Sequence, residues 1–214
     1  MADARDARAA PWGVRSSRAP LYPLFRDTKF VNKIGEKRTI RSEMDTRMTA
    51  ADVVEIVQLL TDNGIRVHVD GGWGVDAFLG EHTRPHADLD IAVRHKDVPK
   101  LRELLESRGY REIPRDDSWE CNFVLADESG HEVDVHSYTF DAEGNNIFGV
   151  PYPADSLTGT GTIDGHQVEC ISPKWMVNFH TGYELDMKDY RDVSALCERL
   201  GIELPSEYSK FREK

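Results

Sequence analysis

Apolar residues fall at helical spacing soon after Thr49, where Val53, Val54, Ile56, Val57 and Leu60 form one stripe that Gly64 ends. Thr49 with Asp52 three residues on supplies a capping pair for this helix. The pattern then changes to a short β-branched run, IRVHVD, breaks at Gly71-Gly72, and resumes as a short helix from near Gly74 to Gly80. After the polar loop EHTRPHA, the segment DLDIAV alternates carboxylate and apolar residues as a half-buried strand does. A second stripe, Val98, Leu101, Leu104 and Leu105, predicts a helix over KDVPKLRELLESRG.

Beyond it YREI, WECNFVLA and HEVDVHSYTF read as strands, the last two joined as a hairpin across residues 127–130. Residues 141–164 read as a Gly- and Pro-rich loop, HQVECI as a last strand, and SPKWMVNFHTGYEL and DYRDVSALCERL as two helices, the first opened by Ser172-Pro173. The succession predicts an α+β fold: a small mixed or antiparallel sheet flanked by helices and finished by a C-terminal helical segment. Residues 48–140 are expected to hold the core, and residues 141–214 to complete the substrate pocket. Residues 1–47 show neither period and read as a disordered, basic leader.

The chain has 214 residues and a net charge of -11, which argues against a general nucleic-acid binder, since that needs a basic face to displace counterions. The charge is unevenly placed. Residues 1–47 carry 11 Lys/Arg against 6 Asp/Glu, a balance of +5, while residues 48–214 carry 16 against 32, a balance of -16. No apolar run approaches the roughly 18 residues of a membrane span. Cys121, Cys170 and Cys197 are too widely spaced for a C-x-x-C pair, so neither a disulfide framework nor a zinc site is indicated and a reducing cytoplasm fits best.

Candidate chemistry concentrates in DGGWGVDAFLGEHTRPHADLD, residues 70–90. Asp88 and Asp90 are two apart in a strand, so both side chains leave one face with Cα atoms roughly 6.6 Å apart, close enough to grip one divalent ion. Asp134, between Val133 and Val135, would reach the same ion from a paired strand about 4.8 Å away. Three carboxylates so close repel one another unless a cation neutralises them, and Mg²⁺ suits an all-oxygen set that also admits phosphate. Gly71 and Gly72 let backbone N–H groups approach that phosphate at a helix N-terminus. Taken singly, a D-x-D pair usually marks a solvated strand edge and a Gly-Gly pair a turn; their order along the chain gives them weight.

That order, carried by VDGGWGVDAFLG, TRPHADLDIAV, HEVDVHSYTF and ISPKWMVNFHTGYEL with KDYRDV, resembles the nucleotidyltransferase superfamily of the DNA polymerase β type. Within it the chain is most similar to the lincosamide nucleotidyltransferases and then the aminoglycoside 2''-adenylyltransferases, over roughly residues 49–200. The resemblance implies transfer of AMP from ATP to a hydroxyl of a small cationic antibiotic, with release of pyrophosphate and two Mg²⁺ ions held by Asp88, Asp90 and Asp134. It further implies that Gly71 and Gly72 hold the triphosphate, and Arg84 and Lys188 are candidates for its charge. Asp134 is the candidate general base, or else polarises the hydroxyl as a metal ligand. The resemblance also implies a monomer or homodimer.

Several other residues have a plainer expectation. His180 and Tyr183, at i and i+3 on one helix face, are read as core or rim packing, His68 and His136 as structural histidines, and Trp73 as core. Asp116, Asp117 and Glu120 form a charged loop that would attract a basic drug if it faces the pocket. Two other readings stay open: the same chemistry on tRNA, protein or a biosynthetic intermediate, and a catalytically inactive nucleotide-binding module.

Overall fold

The computed structural model describes residues 48–181 and 183–211; the expected leader lies outside the described residues. Helix α1, Ala50–Asp62, starts as its sequence dictates: Asp52 N–H donates to the Thr49 hydroxyl while Thr49 N–H donates to the Asp52 carboxylate. Its stripe of Val53, Val54, Ile56, Val57 and Leu60 is buried. Strand β1, Val67–Val69, follows, and helix α2 spans Gly71–Leu79. Helix α2 therefore begins three residues earlier than its glycines suggest. The reason is Asp70, an N-cap whose Oδ1 accepts from Gly71 N–H at 2.8 Å and offsets the poor helix propensity of the glycines.

Strand β2, Asp88–Arg94, helix α3, Val98–Ser107, and strands β3, Arg111–Ile113, β4, Asn122–Ala126, and β5, Glu132–Phe140, come next. The segment expected to be loop contains two more strands, β6, Asn146–Gly149, and β7, Gly159–Ile163. Strand β8, His166–Cys170, pairs antiparallel with β7. Helix α4 is shorter than expected, Pro173–Phe179, so His180 caps its end and Tyr183 lies beyond it, and the two do not share a helix face. Helix α5, Met187–Leu200, opens with a second capping pair, Asp186 and Asp189.

All eight strands form one mixed sheet in the order β3-β4-β5-β2-β1-β8-β7, with β6 on the far end of β5. The pairings β2–β5 and β1–β8 are parallel and the others antiparallel. Val133, Val135, Leu89 and Ile91 are buried on the core side of the two central strands, which turns Asp88, Asp90 and Asp134 the other way. No helix among the described residues is long and apolar enough to cross a membrane.

Candidate active site

The parallel register of β2 and β5 sets Asp88 opposite Glu132 and Asp90 opposite Asp134. These positions open onto a cleft of about 530 Å³ that is also lined by Asp70, Gly71 and Gly72 from the start of α2, Arg84 and His86 from the loop before β2, and Lys188, Asp189 and Asp192 from α5. All seven residues singled out from the sequence, Gly71, Gly72, Arg84, Asp88, Asp90, Asp134 and Lys188, border this one cleft.

The electrostatics are strained. Burial first, then the charges of Asp88, Asp134 and Asp70, push the Asp90 carboxyl well above the ordinary carboxylate range. Burial also raises Asp134, opposed by His136 and reinforced by Asp88. Asp134 Oδ1 is buried and has no hydrogen-bond partner among the described residues, the nearest cationic candidate being His136 Nε2 at 3.5 Å. An oxygen-only donor set, mutual repulsion and an orphaned carboxylate oxygen together fit a hard divalent cation such as Mg²⁺.

The two glycines are required by contact. Gly71 has φ +56°, and a Cβ there would stand 2.0 Å from Asp90 Oδ2. A Cβ on Gly72 would lie 2.3 Å from His86 Nδ1 and 2.8 Å from Arg84 Nη2. The helix terminus thus meets the carboxylates and the basic groups at backbone distance, which only glycine permits.

Arg84 is not a free cation. Its Nε and Nη2 hold Asp192 at 3.0 and 2.6 Å, a two-pronged pair with Asp192 almost fully buried on α5. Lys188 sits on the first turn of α5, on the same wall.

Several lining residues escaped the sequence reading. Asp70 accepts a 2.8 Å hydrogen bond from the Tyr152 hydroxyl, which also lies 3.3 Å from His136 Nδ1. His136, expected to be structural, therefore belongs to the wall of the cleft; its alternation in phase with Asp134 was the available signal. Tyr183 packs against the core as expected and donates to Asp189 Oδ1 at 2.8 Å, and with His180 it also lines the cleft. Of the charged loop, Asp117 reaches the lining, while Arg115 is tied to Glu132 at 2.7 Å. His68 is buried, and Trp73 is in the core with its ring against two histidines. The lining carries nine carboxylates against three Arg or Lys, so the cleft favours cations beyond a metal alone.

A family model described as aminoglycoside-2''-adenylyltransferase matches residues 52–196. A lincosamide resistance protein of Staphylococcus haemolyticus is 27% identical over 160 residues, 71% of this chain and 96% of the relative. A 2''-aminoglycoside nucleotidyltransferase of Escherichia coli is 26% identical over 130 residues, 60% of this chain and 70% of that protein. The fold is similar to that of the lincomycin-bound lincosamide adenylyltransferase LnuA, with TM-score 0.62, 24% identity and coverage of 70% of this chain and 97% of the other. It is also similar to ANT(2'')-Ia in complex with adenylyl-2''-tobramycin, with TM-score 0.59, 19% identity and coverage of 77% and 97%.

Proposed function

The chain belongs to the aminoglycoside-2''-adenylyltransferase family, a family of antibiotic-inactivating nucleotidyltransferases, and from that premise we propose that it transfers AMP from ATP to a hydroxyl of a lincosamide or aminoglycoside, releasing pyrophosphate. The observation that carries this reading is the Asp90–Asp134 pair, with Asp88 beside it, at the glycine-opened terminus of α2.

In this reading Asp88, Asp90 and Asp134 hold Mg²⁺, which when bound neutralises phosphate charge and polarises the reacting oxygens. Gly71 N–H is committed to Asp70, so the next orphan donors of α2, at Gly72 and Trp73, serve the triphosphate. Arg84 and Lys188 take up its remaining charge, Arg84 being held in place by Asp192. Asp134 accepts the proton of the acceptor hydroxyl, and His136 and Tyr152 orient the surrounding carboxylates. The acidic walls, Asp117 and Asp189 among them, draw in the ammonium groups of the acceptor. Dependence on ATP and three buried free cysteines fit the cytoplasm.

The test is incubation with labelled ATP, Mg²⁺ and a panel of lincosamides, aminoglycosides and tRNA. One antibiotic class is expected to take the label with an equal yield of pyrophosphate. Labelling of tRNA alone, or neither label nor pyrophosphate, overturns the reading.

A further inference from the structure

Behind the start of α2 lies a cluster that the transfer reading does not use. Asp76, His82 and His86 present three ligand atoms within 4.8 Å of one another. His86 Nε2 is 2.6 Å and His82 Nε2 is 4.0 Å from Asp76 Oδ2. Asp76 and His86 are buried, and His82 is about half exposed, so the group has a rigid floor and one accessible arm.

The surroundings prepare it as metal-site surroundings do. The other oxygen of Asp76, Oδ1, accepts from Thr83 N–H at 3.1 Å and from the Thr83 hydroxyl at 2.5 Å, which fixes the carboxylate and leaves Oδ2 turned to the histidines. Trp73 stacks on His82 at 5.0 Å and tilts over His86 at 4.6 Å, holding both rings from one side. Two imidazoles and a carboxylate are a donor set for borderline first-row ions, where the carboxylates of β2 and β5 offer only hard oxygens.

We propose that Asp76, His82 and His86 form a second metal site, separate from the carboxylate cluster, that takes a divalent cation of the Zn²⁺ class. Ligands on tetrahedral Zn²⁺ stand roughly 3.3 Å apart, so binding needs only a small opening of the Asp76–His86 contact and an inward turn of the exposed His82 ring. With metal on Nε2, the neutral His86 ring carries its hydrogen on Nδ1, the nitrogen facing Gly72. The ion would also pin the loop between α2 and β2 to the helix. The inference stands apart from the choice of donor or acceptor.

The full chain, kept in excess Mg²⁺, is titrated with Co²⁺ while visible d–d absorption and tryptophan emission are followed, and with Zn²⁺ by calorimetry. One equivalent with a tetrahedral Co²⁺ spectrum is expected. His82→Gln, at an exposed position, should fold with an unchanged circular dichroism spectrum yet weaken Zn²⁺ binding about tenfold or more. Asp134→Asn should leave it unchanged. Equal affinity in His82→Gln, loss of binding in Asp134→Asn, or no saturable binding by the unaltered chain overturns the site.

Discussion

Asp90 and Asp134 stand opposite each other in the parallel ladder of β2 and β5, two carboxylates at strand spacing that border one cleft. Asp90→Asn keeps the shape and removes the repelled charge. Transfer is expected to fall about 10³-fold or more while the metal-free melting temperature stays level or rises. Product yield and calorimetry read the two together; a variant that keeps near-native turnover removes Asp90 from the site.

The pH dependence follows from the same pair. Unfolded, Asp90 ionises in the ordinary carboxylate range; folded, it keeps its proton to higher pH. Between those limits the folded state binds more protons, so without metal the stability contributed by Asp90 declines as pH rises through the window. Mg²⁺ should therefore stabilise the fold more at about pH 8, where a hundredfold excess over Kd contributes up to ~2.7 kcal/mol, than at about pH 5, and the melting temperature should rise accordingly. An equal gain at both values would contradict the repulsion.

At the helix terminus, Gly72→Ala drives a Cβ into His86 Nδ1 and Arg84 Nη2, and Gly71→Ala adds a positive φ to a collision with Asp90. Each is expected to cost about 1–3 kcal/mol and to raise KM for ATP above any change in kcat. Denaturant titration and steady-state kinetics check the pair; wild-type values for Gly72→Ala would show that the turn yields.

Asp192→Asn leaves the half-buried Arg84 guanidinium with a neutral partner. A loss of about 2 kcal/mol in stability is expected, because the salt bridge is shielded on the Asp192 side. KM for ATP should rise in parallel if Arg84 serves the triphosphate. Stability lost without any change in KM would leave the pair purely structural.

Far from the cleft, Arg66 donates to both carboxylate oxygens of Glu169, at 2.6 and 2.7 Å, and these hydrogen bonds hold the Glu169 carboxyl below its ordinary range against a smaller opposing effect of burial. The depressed group contributes stability above the unfolded glutamate range and loses it as pH falls through the folded value. Both side chains are well exposed, so Glu169→Gln should remove no more than about 0.5 kcal/mol, seen in neutral but not strongly acidic melts.

The cap and stripe of α1, the two-residue spacing of Asp88 and Asp90, and the alternation around Asp134 are local patterns, and all were legible. What stayed hidden depends on distant partners. Strand β7 reads as loop because of its glycines, yet a Cβ at Gly161 would strike the Ala77 carbonyl oxygen at 2.2 Å, so glycine is what packing against α2 demands. Asp70 looks like one more acid before a turn until Tyr152, 82 positions later, is seen to donate to it. His136 stands in phase with Asp134, but its partner, the Tyr152 hydroxyl, comes from a residue 16 positions later.

Strand β8 reaches back to pair with β1, with Val69 beside Cys170, and β7 then covers α2. A chain emerging from the ribosome cannot make these contacts until about a hundred further residues exist, so the packing around the start of α2 is finished late in synthesis and through the slowest class of contacts, those of large sequence separation. Interruption before β7 would leave an open sheet edge at β1, a hazard for aggregation as well as a loss of function.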